Sequence, residues 1–184
     1  MKQLFFFACG ILLSGCAPKI TTVLHPRNQV PTTLAVAQID MKSGDHIDAP
    51  DNLSQRLNEQ LKRNGYIVTN LPIDGLPTDF DRRRLPTHKA QAIAESNSNH
   101  QVVLVEAVAR FYSQLRGQYR WEVSVEVTLF NPAAPEEALV DQFTIPVFLR
   151  FQHEQEAEAL AAAGVELERR LQRLLDDVAT LSDQ

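Results

Sequence analysis

Cysteine is nearly missing from this chain, with two in 184 residues. They stand at positions 9 and 16, so nothing beyond residue 16 has a thiol pair to oxidise, and the remainder must be held together by packing. Basic charge is also short. Eighteen Lys and Arg face 23 Asp and Glu, a formal charge of −5, which argues against a nucleic-acid partner, whose phosphates demand clustered cations. The catalytic signatures are absent too. There is no Gly-x-Ser-x-Gly elbow, no His-Glu-x-x-His metal pair and no glycine-rich phosphate cradle. His25, His46, His88, His100 and His153 are dispersed and read as isolated surface residues. The expectation is a protein that is not an enzyme, with no catalytic residues, no resident metal and no cofactor.

The one long apolar run, Leu4 to Leu13, follows the positive Lys2. It is too short to span a bilayer and lacks the flanks of a stop-transfer helix, so it reads as a signal peptide covering residues 1–15. Its end, Leu13-Ser14-Gly15-Cys16, resembles the lipobox of bacterial lipoproteins. That resemblance implies cleavage before Cys16 and acylation of its thiol, the only nucleophile there able to accept a diacylglyceryl group, with further fatty chains such as palmitate added. Several acyl chains exceed what stable anchoring needs, at about 0.8 kcal/mol per buried methylene. Ala17 is not the aspartate that marks inner-membrane retention in such proteins, which implies the periplasmic face of the outer membrane. Loss of Lys2 with the leader would take the formal charge to −6.

Residues 16–31, with Pro18, Pro26 and Pro31, read as the lipidated cysteine and a tether reaching at most ~50 Å. Residues 32–184 read as one domain, long enough to bury a core. Thr33 to Ile39 is a buried strand, and the polar Asp40 to Pro50 a turn-rich loop. Asp51 or Asn52 caps a helix with Leu53, Leu57 and Leu61 on one stripe, stopped by Asn64-Gly65. Tyr66-Ile67-Val68 is a second strand, and Lys89 to Ser96 a second helix. Gln101 to Phe111 is a central strand, and Trp121 to Leu129 alternates with one wet face. Phe143 to Phe151 is a further strand that Pro146 assigns to an edge. A long helix, Glu154 to Leu181, carries one apolar seam that suits a coiled-coil contact with a partner or, as the favoured reading, packing across the domain's own sheet. The expected class is α+β, in the order β-α-β-α-β-β-β-α, a mixed sheet with helices packed on one face and a long C-terminal helix.

Two stretches resemble the small α/β lipoproteins of the curli-secretion and TolB-N-terminal-like group: Leu57-Asn58-Glu59-Gln60-Leu61-Lys62-Arg63-Asn64-Gly65-Tyr66-Ile67-Val68, and Ala92-Ile93-Ala94-Glu95 leading through Asn99-His100 into Val102-Val103-Leu104-Val105. The resemblance implies the fold of residues 32–180 and a place in an envelope machine. The segments for the membrane hairpins of that group's secretion channel are missing, and the tether is shorter than in its synthase activator. The expected function is therefore a membrane-anchored, non-enzymatic docking or assembly accessory, held by its lipid and bound to another envelope protein. The candidate partner-binding residues lie in the long segment between the second strand and second helix: Leu76, Phe80, Arg82, Arg83, Arg84 and Leu85, a guanidinium run among apolar side chains suited to anionic groups. A second contact is the strand edge near Pro146. The four aspartates 40, 45, 48 and 51 offer oxygen ligands to a hard cation, without the spacing of a calcium loop. The alternative is a lipid or hydrophobic-ligand carrier, with Trp121 and Phe143 lining a cavity under the long helix. Tyr119-Arg120-Trp121 resembles the auxiliary lipoproteins of lipid-transport systems, a family of related mixed architecture.

Overall fold

The computed structural model describes residues 31–77, 80, 84–115, 117–150 and 155–182. The expected signal peptide, Cys16 and all but the last residue of the expected tether lie outside them, as do Arg82 and Arg83. The chain order is β1 (Thr32–Ile39), β2 (His46–Asp48), α1 (Asp51–Arg63), β3 (Val68–Leu71), α2 (Pro86–Ser96), β4 (Gln101–Leu115), β5 (Gln118–Phe130), β6 (Leu139–Leu149) and α3 (Glu156–Ser182), with single 3-10 turns at Ile73–Gly75 and Pro135–Glu137. The class is α+β, built on a mixed six-stranded sheet with a long C-terminal helix.

The sheet runs β2-β1-β4-β5-β6, with β3 also paired to β1. One edge of β1 is shared: its first half pairs in parallel with β3, while Ala37 to Ile39 pair antiparallel with β2. The other edge pairs in parallel with β4, from Thr32 opposite Gln101 to Gln38 opposite Ala107. Strands β4, β5 and β6 form an antiparallel meander. As Pro146 implied, β6 is the edge strand.

Crossover handedness decides where the helices lie. The step from β1 through α1 to β3 moves one way across the sheet, and the step from β3 through α2 to β4 moves back past β1. Right-handed connections in opposite directions place their helices on opposite faces. The contacts agree: α1 and α3 share a core with Leu34, Val36, Val103, Val105, Val123, Val125, Val127 and Ile145, whereas Ile93 and Ala94 of α2 meet Ala35, Val102, Leu104 and Phe130. The reading of helices on one face thus holds for α1 and α3, while α2 covers the other.

Helix α1 ends in a Schellman motif. The N–H of Tyr66 bonds the carbonyl of Leu61 at 3.1 Å, that of Gly65 bonds Lys62 at 2.9 Å, and Gly65 sits at φ +86°. Its start differs from expectation, because Pro50 occupies the cap with no side-chain hydrogen bond and Asp51 is already helical. Polar links tie α1 to α3 beside the core. Asn64 Nδ2 donates to Gln172 Oε1 at 2.8 Å and Gln172 Nε2 returns a bond to Asn64 Oδ1 at 3.1 Å. Gly164 lets the two helices approach closely, since a Cβ there would stand 3.3 Å from Leu53 Cδ1.

Candidate functional site

Three charged or titratable side chains from three elements meet on the α2 side of the sheet. Glu106, in mid-β4, has an almost wholly buried side chain, 3% exposed. Its Oε1 accepts a hydrogen bond from His46 Nε2 of β2 at 2.6 Å and one from Lys89 Nζ of α2 at 2.7 Å. Lys89 is itself only 6% exposed. Phe80 closes over both donors, its ring edge-on to His46 at 4.9 Å and 5.7 Å from Lys89 Nζ. Burial pushes the Glu106 carboxyl up, but the hydrogen bonds and charges of His46 and Lys89 outweigh it and hold the group below its ordinary value. The carboxylate is the form the cluster stabilises.

Beyond this cluster no described element covers the α2-side face of β4, β5 and β6. A cleft of about 470 Å³ is lined by Lys89, Glu106, Ser124, Glu126, Gln142 and Thr144 with Ile39 and Val108. Gln142 donates to the Glu126 carboxylate across the β5–β6 ladder. Further along the same face a bulge between Phe111 and Ser113 sets Tyr112 out of register. The Arg120 guanidinium lies 4.4 Å from the Tyr112 ring centroid, and Phe148 is the register partner of Arg120. Tyr112 is 60% and Phe148 58% exposed. This Tyr112–Arg120–Phe148 row spans three strands and borders the edge at Pro146.

The candidates from sequence fall into two groups. Leu76 and Phe80 pack against the α2-side core, so they seat the long segment, assisted by a bond from the Ile73 N–H to Asp48 Oδ1 at 3.0 Å. Arg84 and Leu85 are exposed. Arg82 and Arg83 lie outside the described residues. His46 departs from the surface role expected of it, and so does His100, whose Nδ1 is 3.2 Å from Thr33 Oγ1. Two of the four aspartates are engaged in their own turns and links. Asp40 accepts the Ser43 N–H at 2.9 Å, which with the Ser43 hydroxyl holds its carboxyl below the ordinary range; Asp48 serves Ile73. Among the described residues no group of three or more His, Cys, Asp or Glu is arranged to hold a metal.

The cavity expected under α3 is filled. Leu160, Ala163, Leu167 and Leu171 pack on Val123, Val125 and Ile145, Trp121 and Phe143 lie partly buried against them, and Arg170 stacks over Phe143 at 5.4 Å. Residues of the site that the sequence conceals are His46, Lys89 and Glu106. A signal existed, since Glu106 is the lone charge in Val102-Val103-Leu104-Val105-Glu106-Ala107-Val108 and Lys89 shares a helix face with Ile93.

No family model matches the chain, and no curated protein matches it. Several solved structures do. Rare lipoprotein B from Shewanella oneidensis aligns over 83% of this chain and 99% of its own at 10% identity, with a TM-score of 0.38. A lipoprotein from Neisseria meningitidis covers 79% and 99% at 14% identity and TM-score 0.42. A minor lipoprotein from Acinetobacter baumannii covers 83% and 88% at 17% identity and TM-score 0.31. These neighbours are bacterial lipoproteins by name; scores of this size carry no argument about role or site.

Proposed function

We propose that this protein is an outer-membrane lipoprotein, anchored through acylated Cys16 at the periplasmic face, whose domain docks another envelope protein without catalytic turnover. In this reading the domain is of the curli-secretion and TolB-N-terminal-like kind. No described helix is long and apolar enough to cross a membrane, and the lipobox-like Leu13-Ser14-Gly15-Cys16 supports attachment by lipid.

The observation that carries the docking reading is the Tyr112–Arg120–Phe148 row. Aromatic and arginine side chains dominate the energetics of protein interfaces, and the two exposed rings, Tyr112 on β4 and Phe148 on β6, flank Arg120 on one face as an apolar patch of the kind that marks an interaction site. The ordinary strand rise puts Tyr112 roughly 36 Å along β4 from Gln101, the register partner of Thr32, where the tether enters. The row therefore sits well away from the anchored end. The outer edge of β6, which pairs with no strand among the described residues, offers a partner strand its backbone donors and acceptors. In the same reading Arg82, Arg83, Arg84 and Leu85 form a secondary contact for an acidic surface, with Leu76 and Phe80 holding the segment in place.

The test is capture of the full-length protein from detergent extracts of its own membranes. Tyr112→Ser combined with Phe148→Ser removes two rings worth about 2 kcal/mol each at a hot spot, and recovery of the co-purifying envelope protein falls at least tenfold. Replacing Arg82, Arg83 and Arg84 by Ser gives a smaller, salt-dependent loss. Undiminished recovery with the double variant would sink the assignment of this row.

A further inference from the structure

The cleft beside the docking row has a chemistry that docking does not use. Its volume, about 470 Å³, is that of a small-molecule pocket. Glu106 lines it, and only one of that carboxylate's oxygens is occupied. Both His46 and Lys89 donate to Oε1, while Oε2, on a side chain 3% exposed, has no hydrogen-bond partner among the described residues. A buried carboxylate oxygen without a donor carries a desolvation cost that an arriving donor removes.

Charge selects the kind of donor. Two carboxylates, Glu106 and Glu126, line the cleft; His46 and Lys89 are both spent on Glu106 Oε1, and Glu126, bonded to the neutral Gln142 amide, has no ion pair among the described residues. An anion would meet uncompensated negative charge, and a cation restores the balance. Shape narrows it further. A guanidinium binds a carboxylate by a two-pronged fork, and the Oε1 prong is taken; a compact ammonium needs a single oxygen. Ile39 and Val108 supply apolar wall for a short carbon stem, and Ser124 and Thr144 supply hydroxyls.

We propose that this cleft binds a small molecule bearing a primary ammonium group, held by Glu106 Oε2 and Glu126. The chemistry is shared by simple alkylamines and amino sugars, so the test uses both. The ¹⁵N-labelled full-length protein is titrated at pH 7 with n-butylamine and with glucosamine, and in parallel with the uncharged 1-butanol and N-acetylglucosamine. At least one amine gives saturable shifts centred on Glu106, Ser124, Glu126 and Thr144, with half-saturation on the order of 1 mM, and its uncharged counterpart does not. Saturation by butylamine alone assigns an alkyl stem; saturation by glucosamine assigns an amino sugar. Glu106→Gln raises the half-saturation at least tenfold. Should that variant not fold, Glu126→Gln, at the more exposed wall, is read alone and raises it at least threefold. Failure of both amines to saturate, equal binding of an uncharged counterpart, or amine binding untouched by Glu126→Gln overturns the proposal. None of these results depends on whether the Tyr112–Phe148 row docks a protein.

Discussion

Glu106→Leu loses about 3–5 kcal/mol of stability, because it leaves the Lys89 ammonium, 6% exposed, without the carboxylate it pairs with. For a domain of this size that lowers the unfolding midpoint by roughly 10 °C. Adding Lys89→Leu to the same chain removes the stranded charge and replaces the pair by apolar volume beside Ile93 and Phe80. The double variant returns to within about 1–2 kcal/mol of the parent, the shortfall being the His46 donor, which has lost its acceptor. Urea unfolding at pH 7 checks both. A double variant no more stable than Glu106→Leu alone would mean that the pair is not the buried, mutually dependent unit described. Acid adds a second arm. The folded-state value of Glu106 lies below its ordinary 4.5, so its contribution is fully present above that pH and is lost as pH falls through the folded value. Glu106→Gln lacks that component, and its stability falls less steeply below pH 4.5.

Leu171→Ala costs about 2–5 kcal/mol in the isolated protein. Leu171 is fully buried in the core that α3 shares with α1 and the sheet, whereas Val165, on the other side of the helix, is 52% exposed. Val165→Ala therefore changes stability by no more than about 0.5 kcal/mol. The comparison separates two meanings of the same apolar seam. A seam reserved for a coiled-coil partner would leave the isolated Leu171→Ala protein as stable as the parent; one that closes the domain's own core does not. Thermal unfolding of purified protein decides it.

That seam shows how far periodicity carries. Steps of three and four along α3 and strict alternation along β5 and β6 are repeated signals, each residue confirming its neighbours, and they place these elements and their buried faces without further help. Pro146 marks the edge strand because a missing donor is a local fact. The rest depends on pairing between distant segments. β2 is three residues long, His46 to Asp48, too short to show a period, and it reads as loop until β1 lends it a ladder. For the same reason His46 looks isolated: its partner Glu106 is 60 residues away. The face that α2 covers follows from the order in which β3 and β4 flank β1, which no local pattern encodes. Phe80 and Leu76 are visible as apolar residues in a polar stretch, yet only the fold shows that they turn inward while Arg84 and Leu85 stay out. The Tyr112–Arg120–Phe148 row depends on the pairing of three strands, which sets Phe148 opposite Arg120 and the Tyr112 ring over its guanidinium, and no single strand's pattern shows that.

The proposed docking surface is the α2-side face, at the Tyr112–Arg120–Phe148 row. The most direct measurement replaces Phe148 with a photo-crosslinking phenylalanine analogue in the full-length protein, in cells, and Val165 with the same analogue as the reference position. Irradiation at 148 yields one discrete heavier band containing an envelope protein, and irradiation at 165 yields none. A band from 165 with none from 148, or a label at 148 found only on lipid, contradicts it.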